Sequence, residues 1–353
     1  MPRPGGVGVT TLPPWLQRQL GAVLALRGHA VLLDGPAGLG QYELALALAR
    51  RWLCEQPRGP EACGACAGCR AVDARTHADL FVLLPDALAL ELGWPLDPST
   101  AERIERKEIK PSRQIRVEAT RAAIRFATTT SARGQGKVVL IHPAERLNAE
   151  SANALLKTLE EPPAGVRFVL ASEASHALLP TIRSRCQRHA MAWPSSEEGL
   201  AWLTATAAAQ GLELNADDWQ ACWRAAAGRP AQALQWAQLG LRAPLWRTLP
   251  RRLAAGDLAP IAEWPLPRQL EALMLLCHDA LACALGAPTR HFDAADVPAQ
   301  APPRKLAALW RALQQAHRHI EHPWQPGLWT QAWAERVRTA FSPTVQPTLH
   351  SRP

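Results

Sequence analysis

Long apolar runs are missing. No stretch of the 353 residues reaches the ~18 that a membrane span needs, so membrane-embedded classes are excluded. Charge is sparse at 20% of residues while 48% are apolar, which excludes a disordered chain and leaves enough for two or three domains with cores. Lysine is scarce. Lys107, Lys110, Lys137, Lys157 and Lys305 are the only five among 39 cations, so 34 are arginine, a bias that matches the Ala-rich background and reads as genome composition. The formal charge is still +8, compatible with polyanionic partners but spread over the whole chain. Cysteine is too thin for a secreted disulfide scaffold, which would be short and Cys-dense. The segment Met1 to Thr11 is rich in Pro and Gly and lacks an apolar signal core, so a cytoplasmic location is expected.

What is present is an ordered alternation. Thr11 to Gly28 reads as an amphipathic helix, with Leu16, Leu20, Val23 and Leu24 on one face. A short apolar strand, Ala30 to Leu33, leads into a Gly-rich turn and a helix from Gln41 to about Cys54. Further strands are expected at Leu80 to Leu84, Lys137 to Ile141, Val166 to Ala171 and Gln187 to Met191. Helices are expected at Ile115 to Ala127, from an Asn148 cap to Glu161, and at Pro180 to Arg185. Pro85 to Pro111 has mixed charge and no sustained period and reads as an inserted loop with room for a short helix. Strands alternating with helices predict a parallel sheet covered on both faces. From Pro194 onward the pattern is Ala/Leu/Trp-rich helix, broken near Gly211, Gly228 to Pro230, Gly256, Pro288 to Pro303 and Pro323, with no strand. The predicted class is α/β followed by all-α.

Of the fourteen tryptophans, most sit at helical spacing in the second half (Trp202, Trp219, Trp223, Trp236, Trp310, Trp329, Trp333), where packing is their expected role. A base-stacking platform needs aromatics interleaved with cations on one surface, and the sequence lacks that pattern.

Gly35-Pro36-Ala37-Gly38-Leu39-Gly40-Gln41-Tyr42 fits the glycine frame of a Walker A loop. Such glycines turn backbone N–H groups inward to cradle phosphates at a helix N-terminus. A working loop then needs a lysine on the β- and γ-phosphates and a hydroxyl on Mg²⁺. Gln41 carries no charge, and Tyr42 is too long to replace a serine at the metal. An ATPase also carries acids at the end of its third strand. Here His142-Pro143 follows Ile141, with no carboxylate before Glu145. Two losses argue for a retired nucleotide loop; the plainer reading is a Gly-rich turn with no nucleotide history. His142 is expected to be a hydrogen-bonded neutral group.

Cys54, Cys63, Cys66 and Cys69 are spaced to supply four thiolates, with Gly59, Gly64 and Gly68 allowing tight turns. Four sulfurs in a tetrahedron form a closed structural Zn²⁺ site with no position open for a catalytic water. An iron–sulfur run is the rival, but it wants a fourth ligand after Cys69 that is not there, and free thiols remain an alternative. Cys186, Cys222, Cys277 and Cys283 are scattered among helical patterns.

The segment Leu147 to Pro163, reading L-N-A-E-S-A-N-A-L-L-K-T-L-E-E-P-P, followed by Ser184-Arg185-Cys186, resembles the bacterial clamp-loader group of AAA+ proteins. A four-cysteine module inserted after the Walker A helix strengthens the resemblance, which is clear from about residue 12 to 193 and looser to about 340. It implies an AAA+ α/β domain over 1–193, with a zinc module at 54–69 and the inserted loop at 85–111. A helical lid over 194–245, a helical collar over 246–345 and a disordered tail at 346–353 complete the expected organisation. The group's ATPases keep the lysine and acids lost here, and carry a nucleotide-sensing arginine where this chain has Ala231. The resemblance is therefore to a non-ATPase member of the DNA polymerase III clamp loader, with no ATP cofactor and no ATPase activity of its own. It implies tau/gamma and delta subunits as partners and, through the complex, the β sliding clamp and primer–template DNA, with no membrane and a place at replication forks in the nucleoid.

In that group the arginine of Ser-Arg-Cys reaches ATP held by a neighbouring subunit. Carried over, Arg185, flanked by Ser184 and Cys186, would act as an arginine finger in trans; the plainer role is to cap a helix C-terminus. Lys157 reads as a solvated helix residue or a partner of Glu160 or Glu161. Two other readings are an NTPase with an atypical P-loop and a free-standing zinc-containing DNA-binding protein of AAA+ type.

Overall fold

The computed structural model describes residues 12–298, 301–320, 322 and 324–342. The chain divides into two compact units, 1–193 and 194–353.

The first unit runs α1 (Pro14–Leu24), β1 (Ala30–Asp34), α2 (Gln41–Trp52), α3 (Ala67–Asp73), β2 (Leu80–Leu83), α4 (Asp86–Leu92) and α5 (Pro98–Glu105). It continues with α6 (Val117–Thr128), β3 (Lys137–Ile141), α7 (Ala149–Glu160), β4 (Val166–Ser172), α8 (Pro180–Arg183) and β5 (Gln187–Ala190). The sheet order is β2-β3-β4-β1-β5 and every pairing is parallel. Every residue of β1 and β3 is buried, as expected of inner strands whose faces are both covered. β5, reading Gln-Arg-His-Ala, is polar and mostly exposed, and it lies at an edge. Because all strands run the same way, His142, Ser172 and Asp34 follow one another along the carboxyl edge, the usual place for a site in such a sheet.

Local chemistry sets the element ends. Asn148 caps α7, its Oδ1 accepting the Ser151 N–H at 2.8 Å, and Pro162-Pro163 follows the helix. α1 is shorter than the expected Thr11 to Gly28: Pro13-Pro14 opens it, and Thr11 lies outside the described residues. The 85–111 segment corrects the loop expectation, because it holds two helices. Asp97 caps α5 through the N–H groups of Ser99 and Thr100, at 3.1 and 3.3 Å. Each helix is about two turns long, and α5 buries none of its residues, so no apolar stripe was there to read. Ala89 of α4 packs with Leu84 and Trp94 in a small separate core.

The second unit holds helices and no strand among its described residues: α9 (Ser196–Ala209), α10 (Ala216–Ala225), α11 (Pro230–Gln238), α12 (Ala243–Ala254), α13 (Leu266–Ala284), α14 (Pro303–Arg318) and α15 (Pro326–Phe341). Breaks fall at Gly211, Gly228 to Arg229 and Gly256, with a further one between α11 and α12; Pro323 lies outside the described residues. One apolar core collects side chains from Leu203 to Ala340, and position 245 lies inside α12. Trp219, Trp223, Trp236, Trp246, Trp264, Trp329 and Trp333 are all buried in it, so packing is their role. The expected tail at 346–353 lies outside the described residues. No described helix is long and apolar enough to cross a membrane.

Candidate functional site

The Gly35–Tyr42 loop joins β1 to α2, with Gly40 as the N-cap residue in a left-handed conformation, φ 94°. A side chain there would be strained, and its Cβ would sit 2.7 Å from Leu16 Cδ1. Gln41, at the lysine position, is 2% exposed. Its Nε2 donates to the carbonyls of Gly35 at 2.6 Å and Pro36 at 2.8 Å. The amide thus folds back on its own loop instead of reaching out from it. Tyr42, at the hydroxyl position, accepts the indole N–H of Trp94 at 2.6 Å, and its ring packs 5.3 Å from the His142 ring. Burial raises the Tyr42 phenol above its ordinary value.

His142 closes the carboxyl end of β3. It is buried, and desolvation lowers its pKa to about 4, so the ring is neutral at pH 7. Glu145 accepts the Ser172 hydroxyl at 2.8 Å and the Glu173 N–H at 3.2 Å. Asp34, at the end of β1, accepts Arg188 Nε at 2.6 Å. Both carboxylates are engaged within the protein.

The four cysteines of the 54–69 module converge. Their sulfurs all lie within 4.8 Å of one another, with Cys54 and Cys66 at 3.9 Å and Cys63 and Cys69 at 4.0 Å. A tetrahedral ion with metal–sulfur bonds of about 2.3 Å demands edges of about 3.8 Å, so the set fits one closed ion. The N–H groups of Cys63, Cys66 and Cys69 donate to sulfurs at 3.2, 3.3 and 3.3 Å, stabilising thiolate. The N–H groups of Ala65 and Cys66 pull the Cys63 thiol down to about 6. Gly68 is required by space: a Cβ there would lie 2.6 Å from the Leu53 carbonyl oxygen. Helix α3, capped by Cys66, was not anticipated, since its seven residues include Gly68, which was read as a turn.

Ser184-Arg185-Cys186 follows α8. Arg185 Nη1 donates to the Thr181 carbonyl at 3.0 Å, the capping contact, and Nη2 meets Glu160 Oε2 at 3.1 Å. Ser184 donates to the same Thr181 carbonyl at 3.1 Å. Burial pushes the Cys186 thiol up to about 12, so it is protonated at pH 7. Lys157 is exposed, and Glu160 on the same helix pairs with Arg185 rather than with it. The named residues therefore form three groups: the loop with His142, the cysteine cluster, and Arg185 with α7 and α8. Trp94 was missed by sequence reading, because nothing local links it to a tyrosine 52 positions away.

Residues 25–194 match the family described as DNA polymerase III, delta subunit. The DNA polymerase III subunit delta' of Pseudomonas aeruginosa is 41% identical over 193 residues, covering 54% of this chain and 52% of that protein, about half its length. The tau subunit of Salmonella typhimurium is 35% identical over 158 residues, covering 45% of this chain and 21% of that protein. The delta' subunit of Escherichia coli is 33% identical over 296 residues, covering 80% of this chain and 78% of that protein. With a match of that extent across both halves, the chain belongs to the family of DNA polymerase III delta' subunits.

Proposed function

We propose that this chain is the non-ATPase arm of a clamp loader that places the β sliding clamp on primed DNA, in the cytoplasm, with tau/gamma and delta subunits as partners. The observation that carries the reading is Gln41. In a delta' family member, the position that would need a charged lysine holds a buried amide satisfied by the Gly35 and Pro36 carbonyls. Tyr42 and His142 fill the neighbouring space where a hydroxyl, a metal and acids would be needed. On this reading the loop is a degenerate Walker A, and the chain holds its shape without nucleotide. The helices before α12 serve as lid and those from α12 onward as collar, since the expected boundary at 245 falls inside α12.

Arg185 supplies the finger in trans. Its guanidinium is always charged and planar, suited to charge developing on a neighbour's γ-phosphate. In this chain it must leave Glu160 to do so. That pair is solvent-exposed on the Glu160 side, and pairs of this kind contribute about 0–1 kcal/mol, so release is cheap. Cys54, Cys63, Cys66 and Cys69 would hold a Zn²⁺ ion that cross-links the chain and does no catalysis.

The test is DNA- and clamp-stimulated ATP hydrolysis by tau/gamma plus delta, with this chain added as wild type or Arg185→Ala. The expected result is that both assemble and the variant stimulates less. Equal turnover in a stably assembled complex would make Arg185 a cap only. Failure of the wild type to assemble would remove the loader reading. Nucleotide titration of the isolated chain should show no ATP binding, even with Gln41→Lys, because Tyr42 and His142 remain; saturable binding by the wild type would instead favour an NTPase with an unusual loop.

A further inference from the structure

About half of the described arginines on the second unit meet acids, whereas Arg242, Arg290 and Arg336, like those of α14, meet no described carboxylate. Arg224 meets Asp293 at 2.7 Å, Arg247 meets Asp217 at 2.9 Å, and Arg252 meets Asp257 at 2.7 Å; Arg268 and Arg338 pair with Glu271 and Glu335. Helix α14 is where three of the unmatched arginines lie on one element. Its sequence, PRKLAALWRALQQAHR, contains no acidic residue. Arg304, Arg311 and Arg318 are exposed, and none of them meets a described carboxylate.

Their spacing is regular. Seven residues are nearly two helical turns, so the three side chains share one face, drifting only ~20° per step. At 1.5 Å per residue they stand about 10.5 Å apart and span about 21 Å. The opposite face, Leu306, Leu309 and Leu313, is buried in the core. Between the arginines the exposed stripe carries Ala308 and Gln315, one small and one hydrogen-bonding, and no bulky apolar group that could enter a membrane.

We propose that this face of α14 lies along a nucleic-acid phosphodiester backbone, with Arg304, Arg311 and Arg318 each engaging a phosphate. Along its axis duplex DNA carries a charge about every 1.7 Å, so an arginine about every 10.5 Å over a face of about 21 Å has phosphates within reach of each long side chain. Guanidinium groups suit phosphate because two parallel N–H bonds reach two of its oxygens. The choice of DNA as the nucleic acid rests on the loader reading; the charge argument does not.

The test uses the full chain and fluorescently labelled single-stranded and duplex oligonucleotides, titrated across a salt series. The triple variant R304Q/R311Q/R318Q is compared with R224Q/R247Q/R252Q, which removes as many charges from matched positions on the same unit. We expect the α14 variant to bind at least ~10-fold more weakly at low salt, with the log–log salt slope reduced by ~2–3. The control should change the slope by less than ~1. No binding by the wild type, equal losses in the two variants, or an unchanged slope would overturn the proposal. Loss of tau/gamma assembly in the α14 variant with DNA binding intact would also overturn it, marking the face as a protein contact. DNA binding lost through α14 in a chain that never assembles with tau/gamma would sink the loader reading and leave this inference standing.

Discussion

At the scale of single residues, the carboxyl edge of the sheet is filled by groups that bond or pack against one another: Gln41 on its own loop, Tyr42 on Trp94, and His142 beneath the Tyr42 ring. Their identities were readable as departures from a nucleotide loop, but their partners were not, because hydrogen bonds over 52 positions leave no local pattern. His142 gives the stability a pH dependence. Unfolded, it binds a proton near pH 6.5; folded, it resists protonation down to about 4. Between those values the unfolded chain holds more protons, so stability rises with pH across that window and is lost as pH falls through it, by on the order of 3 kcal/mol. Burial lowers His77, His189 and His291 in the same direction. Urea unfolding at pH 7 and pH 4.5 should therefore show a smaller acid loss in His142→Gln than in the wild type. Identical losses would mean that the ring is solvated.

At the scale of elements, the inner strands were legible because their residues are apolar on both sides, and α7 was legible because its cap and its terminating prolines are local. The 85–111 helices were not, since α5 presents no buried face from which a period could arise. The cysteine module was readable as a ligand set from spacing alone. What spacing could not give is the crowding at Gly68 or the helix that starts at Cys66. Elemental analysis of the purified chain should find about one zinc per chain, held by four thiolates. Cys63→Ser should lower that ratio and the Tm together, and a chelator should lower the Tm of the wild type but hardly that of the variant. Full stability of the wild type after complete metal removal would separate the ion from folding.

At the scale of the whole molecule, two units have separate cores: one built from the sheet and its helices, the other from residues between Leu203 and Ala340. The change of pattern near Pro194 was visible in the sequence because the strands stop there, whereas the expected boundary at 245 falls inside α12, within a single core. Separate cores predict separate folding. A fragment ending at Trp193 should unfold cooperatively and keep the metal content of the full chain; a fragment without a cooperative transition would show that the first unit depends on the second.

Only one tyrosine exists in the chain, and it is Tyr42. Biosynthetic 3-fluorotyrosine would thus place a lone ¹⁹F nucleus beside Trp94 and His142, with no other resonance to assign. Its chemical shift would report on that corner alone, even in mixtures with larger proteins, where other spectra become crowded.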